Sequence, residues 1–170
     1  MKIFYPEQYA DSVIDIDYKA LYRAGVRLIL FDVDNTLATY NLALPEPRIQ
    51  ALIQCLKEQG FEIVLVSNGG EHRVERFAAA LGVHYVYRAM KPLPSGVCRV
   101  LQQRNVQKKE AVLVGDQVFT DVWAGNWAGI HTVLTRPIST VDDEWITKIK
   151  RGLESRVIAR YLKKEGKKHE

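Results

Sequence analysis

The first feature of the sequence that could do chemistry is a pair of carboxylates, Asp32 and Asp34, at the end of a short apolar run. Residues two apart on a strand face the same side. Two carboxylates at so short a distance repel each other unless a cation or a shared proton lies between them. A divalent cation is the natural solution, and hard oxygen ligands suit Mg²⁺. The alternative is a turn in which Asp34 and Asn35 only cap a loop.

A second acidic pair, Asp116 and Asp121, follows another apolar run, which ends in Gly115. Glycine lets the backbone approach a ligand closely, so these two acids could complete a metal site that faces Asp32. The alternative is that the side chain of Asp121, or of Thr120, caps the next helix.

Groups that bind anions lie between the two acidic pairs. Ser67 and Asn68 offer a hydroxyl and an amide, and two glycines follow them just before a helical pattern. Backbone N–H groups at such a helix start attract anions. Lys91 adds a positive charge, although a lone lysine before a proline is more often a solvated surface residue.

The elements that must position these groups alternate along the chain. The predicted strands, which are short and apolar, lie at 26–34, 61–68, 83–87, 111–116 and 129–135. The helical patterns between them lie at 46–59, 71–81, 94–104 and 120–127. This alternation predicts an α/β fold, a doubly wound and mostly parallel sheet with helices on both faces. Ligands bind at the carboxyl ends of the strands in such a sheet, where the polar groups named above are expected.

Helices are also expected at both ends of the chain. Residues 11–24 are predicted to form a leading helix, and Trp145 to about Lys164 a closing helix. The closing helix has an apolar face that is expected to pack on the domain, formed by Ile146, Ile149, Leu153, Val157 and Tyr161. Without repeats or long linkers, the prediction is one domain over residues 1–170, with a basic helical segment at about 145–170.

The net charge of +4 is concentrated in that last segment, where residues 148–170 hold nine basic and three acidic side chains. Such a segment could lie on an anionic membrane surface, but packing on the domain with solvated lysines is the favoured reading. No nucleic-acid partner is expected, because stacking aromatic residues do not alternate with the basic ones. Without a secretory signal, the expected location is the cytoplasm, with the inner face of the membrane as the alternative.

The ordered motifs F-D-V-D-N-T-L, S-N, K-P and G-D-x-x-x-x-D resemble those of the haloacid dehalogenase superfamily of phosphatases. Longer stretches, V-S-N-G-G-E-H-R-V and V-G-D-Q-V-F-T-D-V-W-A-G-N, are similar to its YqeG-like family of the short-cap class IIIA type. That family is related to a mitochondrial phosphatidylglycerophosphate phosphatase.

This resemblance implies a role for each motif residue. Asp32 would be the nucleophile that becomes an aspartyl-phosphate, and Asp34 would protonate the leaving oxygen and then activate water. Ser67, Asn68 and Lys91 would bind the phosphoryl group.

The resemblance also implies a Mg²⁺ cofactor. The Asp32 carboxylate, the Asp34 backbone carbonyl and Asp116 would hold it, with Asp121 in a supporting role. The implied activity is hydrolysis of a phosphomonoester, with phosphatidylglycerophosphate or another lipid or macromolecular phosphate as the substrate.

The intervals between motifs leave no room for a cap domain, since Leu37 to Ser67 is 30 positions and Ser67 to Lys91 is 24. The site should therefore be open, which suits a macromolecule, a lipid headgroup or a pocket completed by a neighbouring subunit. The alternatives to an enzyme are a receiver-like module and a catalytically silent phosphate-binding module. A receiver is disfavoured because the acids Asp116 and Asp121 follow Lys91.

Overall fold

The computed structural model describes residues 2–139 and 145–166, and its centre is a six-stranded sheet in which neighbouring strands run parallel. The strands are β1 (Gln8–Ala10), β2 (Leu28–Phe31), β3 (Glu62–Val66), β4 (His84–Val86), β5 (Ala111–Gly115) and β6 (His131–Thr135). Their order across the sheet is β1-β6-β5-β2-β3-β4. The change of direction beside β2 creates a crevice at the carboxyl edge, where ligands bind in sheets of this kind.

Helices cover both faces of this sheet. They are α1 (Tyr18–Arg23), α2 (Pro47–Glu58), α3 (Glu71–Leu81), α4 (Ser95–Arg104), α5 (Trp123–Ala128) and α6 (Trp145–Gly166). The first three share one hydrophobic core with the sheet, and α4 and α5 share a second core on the opposite face. The predicted doubly wound α/β fold is confirmed.

The central strand β2 is apolar at every position because both of its faces are buried. Ile29 and Phe31 point into the core on one face, while Leu28 and Leu30 point into the core on the other. Successive side chains of a strand alternate between faces, and a strand covered on both sides must therefore be apolar at every position.

The amino-terminal region differs from the prediction of one helix over residues 11–24. Ser12 accepts the N–H of Ile14 and starts a short 3₁₀ turn, and Asp17 accepts the N–H of Ala20 and starts α1. Side chains of this kind compete with continuous helix by capping separate turns. The edge strand β1 was not predicted, because its three residues are too few to show a periodic pattern.

The predicted apolar face of α6 is wrong in its first half. Ile149 and Leu153 are 58% and 50% exposed, whereas Glu154 is buried. Farther along the helix Tyr161 is buried and Val157 packs against a small core cluster, as predicted. Polar contacts between α6 and the edge of the sheet determine which face of the first half of this helix is buried.

The side chain of Ile146 and residues 167–170 of the basic segment lie outside the described residues. Across the described ranges 2–139 and 145–166, no helix combines the length and the apolar character needed to cross a membrane.

Gly125 on α5 packs closely against Thr132 of β6, which leaves no room for a larger side chain. A Cβ at Gly125 would lie 2.4 Å from Cγ2 of Thr132, so Gly125→Ala should lower the free energy of unfolding by about 1–3 kcal/mol, measured by urea denaturation. Gly152→Ala on α6 is the matched control, since nothing lies within 4 Å of its added methyl group. Equal stability of Gly125→Ala and wild type would contradict the packing described here.

Candidate active site

The carboxyl ends of four neighbouring strands bring the predicted polar residues together. Asp32 follows β2, Ser67 follows β3, Lys91 comes after β4 and Asp116 follows β5. A cavity of about 520 Å³ lies at this edge, and its lining includes Asp32, Ser67 and Lys91. No cap domain covers it in the described range 2–139, because the intervals between the motifs hold only loops, α2, β3, α3 and β4.

The most acidic part of the site is a cluster formed by Asp32, Asp116 and Asp121. One carboxylate oxygen from each residue lies within 4.8 Å of the others, and all three residues are buried. Gly115 makes this approach possible, since a Cβ there would lie 2.3 Å from Cγ of Asp121. The sequence placed Gly115 beside a ligand; the structure places it beside a residue of the acidic cluster.

Asp121 lies inside a π-helical turn, Val118–Val122, that precedes α5. Its carboxylate accepts the N–H of Gln117 at 3.1 Å, and it also forms an ion pair with Lys91. Neither this turn nor α5 begins with a side-chain capping hydrogen bond, so the interpretation of Asp121 or Thr120 as a helix cap is wrong.

Lys91 is enclosed by the acidic cluster. Its Nζ lies 2.6 Å from Oδ1 of Asp32 and 2.6 Å from Oδ1 of Asp121, and its side chain is 2% exposed. The reading of Lys91 as a solvated surface residue is therefore wrong. Burial alone would lower the pKa of Lys91, but the attraction of Asp121 and Asp32 outweighs burial and raises it. The ammonium group stays charged.

Asn68 positions this lysine through its backbone. The Asn68 amide donates to the carbonyl of Lys91 at 2.9 Å and accepts the N–H of Lys91 at 2.8 Å. Asn68 is predicted from the sequence to bind phosphate, and the structure adds this positioning contact. Ser67 is buried at the cavity, where its Oγ accepts the N–H of Gly69 at 2.9 Å.

Asp34 lines the same cavity, but its carboxylate is not part of the acidic cluster. It forms an ion pair with Arg73 of α3 at 2.7 Å. Arg73 also donates to the carbonyls of Thr39 and Leu42, and so ties the loop after β2 to the start of α3. The sequence analysis gave no role to Arg73, although it lies in the stretch V-S-N-G-G-E-H-R-V that carries the resemblance.

A further residue that the sequence analysis missed is Arg151 of α6. Its Nη2 lies 2.6 Å from Oδ2 of Asp116, and its Nη1 donates to the backbone carbonyl of Asp116 at 3.3 Å. Glu154, one turn later, accepts the N–H of Phe119 at 2.8 Å. The first half of α6 is therefore held against the site by polar contacts, which explains why Ile149 is exposed.

The charges of the cluster do not balance. Three buried carboxylates face two cations, Lys91 and Arg151. Burial raises the pKa of Asp32 to about 7 against the attraction of Lys91, and burial and the neighbouring acids raise the pKa of Asp116 well above its ordinary value. A divalent cation would favour the ionised forms. An all-oxygen cluster with excess negative charge fits Mg²⁺.

Comparisons with known proteins show the family of this chain. The profile of the haloacid dehalogenase-like hydrolases matches residues 38–129. A protein of Bacillus subtilis (strain 168), named probable phosphatase YqeG, is 33% identical over 97% of this chain and 95% of its own length. The chain belongs to the haloacid dehalogenase-like hydrolases. The prediction of a phosphatase of this family is thereby confirmed, and the receiver-like alternative is excluded.

Two more proteins, one compared by sequence and one by structure, extend the comparison. A phosphatidylglycerophosphate phosphatase of Arabidopsis thaliana is 31% identical over 88% of this chain, which spans 45% of that relative's length. The cobalt-bound deoxy-D-mannose-octulosonate 8-phosphate phosphatase of Haemophilus influenzae superposes with a TM-score of 0.54. It is 16% identical, and the match covers 66% of this chain and 69% of that one, which shows a shared fold.

The raised pKa of Asp32 predicts a pH dependence of stability in metal-free protein. The folded state keeps the Asp32 proton up to about pH 7, whereas the ordinary value of 3.8 applies after unfolding, so raising the pH through this range costs stability. Asp32→Asn removes this titration. Urea denaturation in EDTA would measure the free energy of unfolding of both proteins between about pH 5 and about pH 8. As the pH rises, the free energy of unfolding of wild type should fall relative to that of Asp32→Asn.

Saturating Mg²⁺ provides the control for this measurement. Bound cation favours the ionised carboxylate, so it should reduce the pH-dependent difference between wild type and Asp32→Asn. A difference that stays constant with pH in EDTA would contradict the account of the acidic cluster.

Proposed function

We propose that this protein is a Mg²⁺-dependent phosphomonoesterase that works through an aspartyl-phosphate on Asp32. The observation that carries the proposal is the position of Asp32, which belongs to a buried acidic cluster, contacts Lys91 and faces the same cavity as Asp34. In this proposal Asp32 is the nucleophile, Lys91 supplies positive charge and Asp34 is the acid–base group.

The proposed metal ligands are the carboxylates of the acidic cluster, Asp32, Asp116 and Asp121, together with the backbone carbonyl of Asp34. When bound, Mg²⁺ would supply positive charge that shields the attacking carboxylate from the anionic substrate. Lys91 and Ser67 bind the phosphoryl oxygens, on which the charge of a loose transition state is spread.

The reaction has two steps. In the first, a carboxylate oxygen of Asp32 forms a bond to phosphorus, the bond from phosphorus to the substrate oxygen breaks, and Asp34 gives its proton to the departing alcohol. In the second, Asp34 takes a proton from a water molecule that attacks phosphorus, and inorganic phosphate leaves Asp32. Arg73 positions Asp34 for both steps through its ion pair and its contacts with the loop after β2.

The proposed substrate class is a phosphorylated lipid headgroup, with phosphatidylglycerophosphate as the specific candidate. The Arabidopsis relative is named for this substrate. Large exposed apolar side chains lie within two positions, in sequence, of residues that line the cavity, namely Leu42, Met90, Leu93 and Ile149. Exposed apolar groups of this size are typical of a surface that meets a membrane or another apolar partner, and the basic segment would add attraction to anionic lipids.

The activity is tested by phosphate release with Mg²⁺ from para-nitrophenyl phosphate and from phosphatidylglycerophosphate in micelles. Asp32→Asn should lower kcat on the order of 10³-fold or more, because the nucleophile is lost. Asp11→Asn is the matched control, since Asp11 pairs with Arg136 at the surface, outside the cavity lining. Release that persists in Asp32→Asn would contradict the proposed nucleophile, and an inactive wild type would favour the silent binding module.

The same assay tests the lipid substrate. Ile149→Ser should lower kcat/KM on the micellar lipid and leave para-nitrophenyl phosphate unchanged, because only the lipid aggregate meets the exposed side chain. Ile14→Ser is the matched control, since Ile14 is similarly exposed but lies in the amino-terminal 3₁₀ turn. Equal activity of both variants on micelles would argue against contact between α6 and lipid.

A further inference from the structure

The cavity has a second wall that the proposed chemistry does not use. The catalytic wall holds Asp32, Asp34 and Lys91, whereas another part of the lining is formed by Gln117 and Thr120 and by Thr147 and Lys150 of α6. These four side chains are neutral or positively charged, and each carries an N–H or O–H donor. A cavity wall that offers hydrogen-bond donors and one positive charge is suited to binding an anion.

Buried contacts determine where this wall lies. Lys150 immediately precedes Arg151, which binds both the carboxylate and the backbone carbonyl of Asp116. Glu154 is buried and accepts the N–H of Phe119 from the π-helical turn. Since Asp116 belongs to the acidic cluster, these contacts hold Lys150 in a defined position relative to the phosphoryl site.

Two lysines line the cavity among the described residues, Lys150 and Lys91. Lys91, the other cation in the cavity lining, is bound to Asp32 and Asp121. Within the described ranges, no carboxylate lies within ion-pair distance of Lys150. The carboxamide oxygen of Gln117 accepts the Thr120 hydroxyl at 3.4 Å, which leaves the N–H donors of Gln117 for a ligand.

The volume of about 520 Å³ is well within the range of pockets that hold drug-sized ligands. It is much larger than one phosphoryl group requires, so the cavity has room for part of the leaving alcohol as well.

We propose that Lys150, with Thr147 and Gln117, forms a second anion subsite that binds a negatively charged group on the leaving alcohol, a phosphodiester or a second phosphate. The inference rests on the proposed function, because the first anion is the phosphoryl group that Asp32 attacks. The preferred substrates are therefore phosphomonoesters with a second anionic group several bonds away. A charged headgroup diester of a lipid and a soluble bisphosphate both have this chemistry.

Paired substrates test the subsite and distinguish these two sources. Phosphatidylglycerophosphate and phosphatidic acid, both in micelles, differ by the headgroup diester; fructose 1,6-bisphosphate and fructose 6-phosphate are the soluble pair. Lys150→Ala should lower kcat/KM about tenfold for the two-anion member of whichever pair the enzyme accepts, the expected order for one lost charged hydrogen bond. The one-anion member and para-nitrophenyl phosphate should be unchanged.

Lys150→Arg should retain most of the preference, since it keeps the charge. Lys163→Ala is the matched control, because Lys163 is exposed on the same helix and is not part of the cavity lining. An equal loss on one-anion and two-anion substrates, or no loss on either, would overturn the subsite.

A binding measurement keeps the inference testable without turnover. Titration calorimetry in Mg²⁺ should show wild type binding propane-1,3-diphosphonate about tenfold more tightly than propylphosphonate, and Lys150→Ala binding the two equally. A preference that survives in Lys150→Ala, or one that wild type lacks, would refute the subsite. If this preference is present but phosphate release does not depend on Asp32, the proposed function fails and the anion subsite stands.

Discussion

Burial of three carboxylates at the edge of a parallel sheet is the constraint on which the rest of the structure depends. Asp32, Asp116 and Asp121 repel one another, and removal from water raises the cost of their charges. Lys91 and Arg151 reduce this cost, and each is held in turn by contacts with other parts of the chain. The charge that these two cations leave uncompensated is what a divalent cation would neutralise, and metal binding would then also prepare the site for an anionic substrate.

The fold meets this constraint by supplying each charged group from a different element. Strand ends present Asp32 and Asp116, the loop after β4 presents Lys91, and α6 presents Arg151. Gly115 gives Asp121 the space to approach. Ion pairs and hydrogen bonds hold these groups together before substrate arrives, which is the arrangement that electrostatic catalysis requires. The helix α6 therefore contributes a charged partner of the acidic cluster as well as packing contacts.

Much of the site could be predicted because it follows from local patterns and one topological rule. An apolar run predicts a strand, and parallel strands bring Asp32, Ser67 and Asp116 to the same edge. The partners Arg73 and Arg151 could not be found in this way, since each reaches a carboxylate more than 30 positions away in sequence. Apolar spacing also predicts the wrong rotation for the start of α6, because two buried polar contacts outweigh the burial of Ile149.

The most direct test of the central claim is to trap the covalent intermediate. Asp34→Asn should slow the hydrolytic step, since the group that activates water is lost. After incubation with Mg²⁺ and para-nitrophenyl phosphate, acid quenching and peptide mass spectrometry should find one phosphoryl group on the peptide that contains Asp32, and none when Asp32→Asn is added. Phosphate release without any phosphorylated Asp32 peptide, or a phosphoryl group on another residue, would contradict the account.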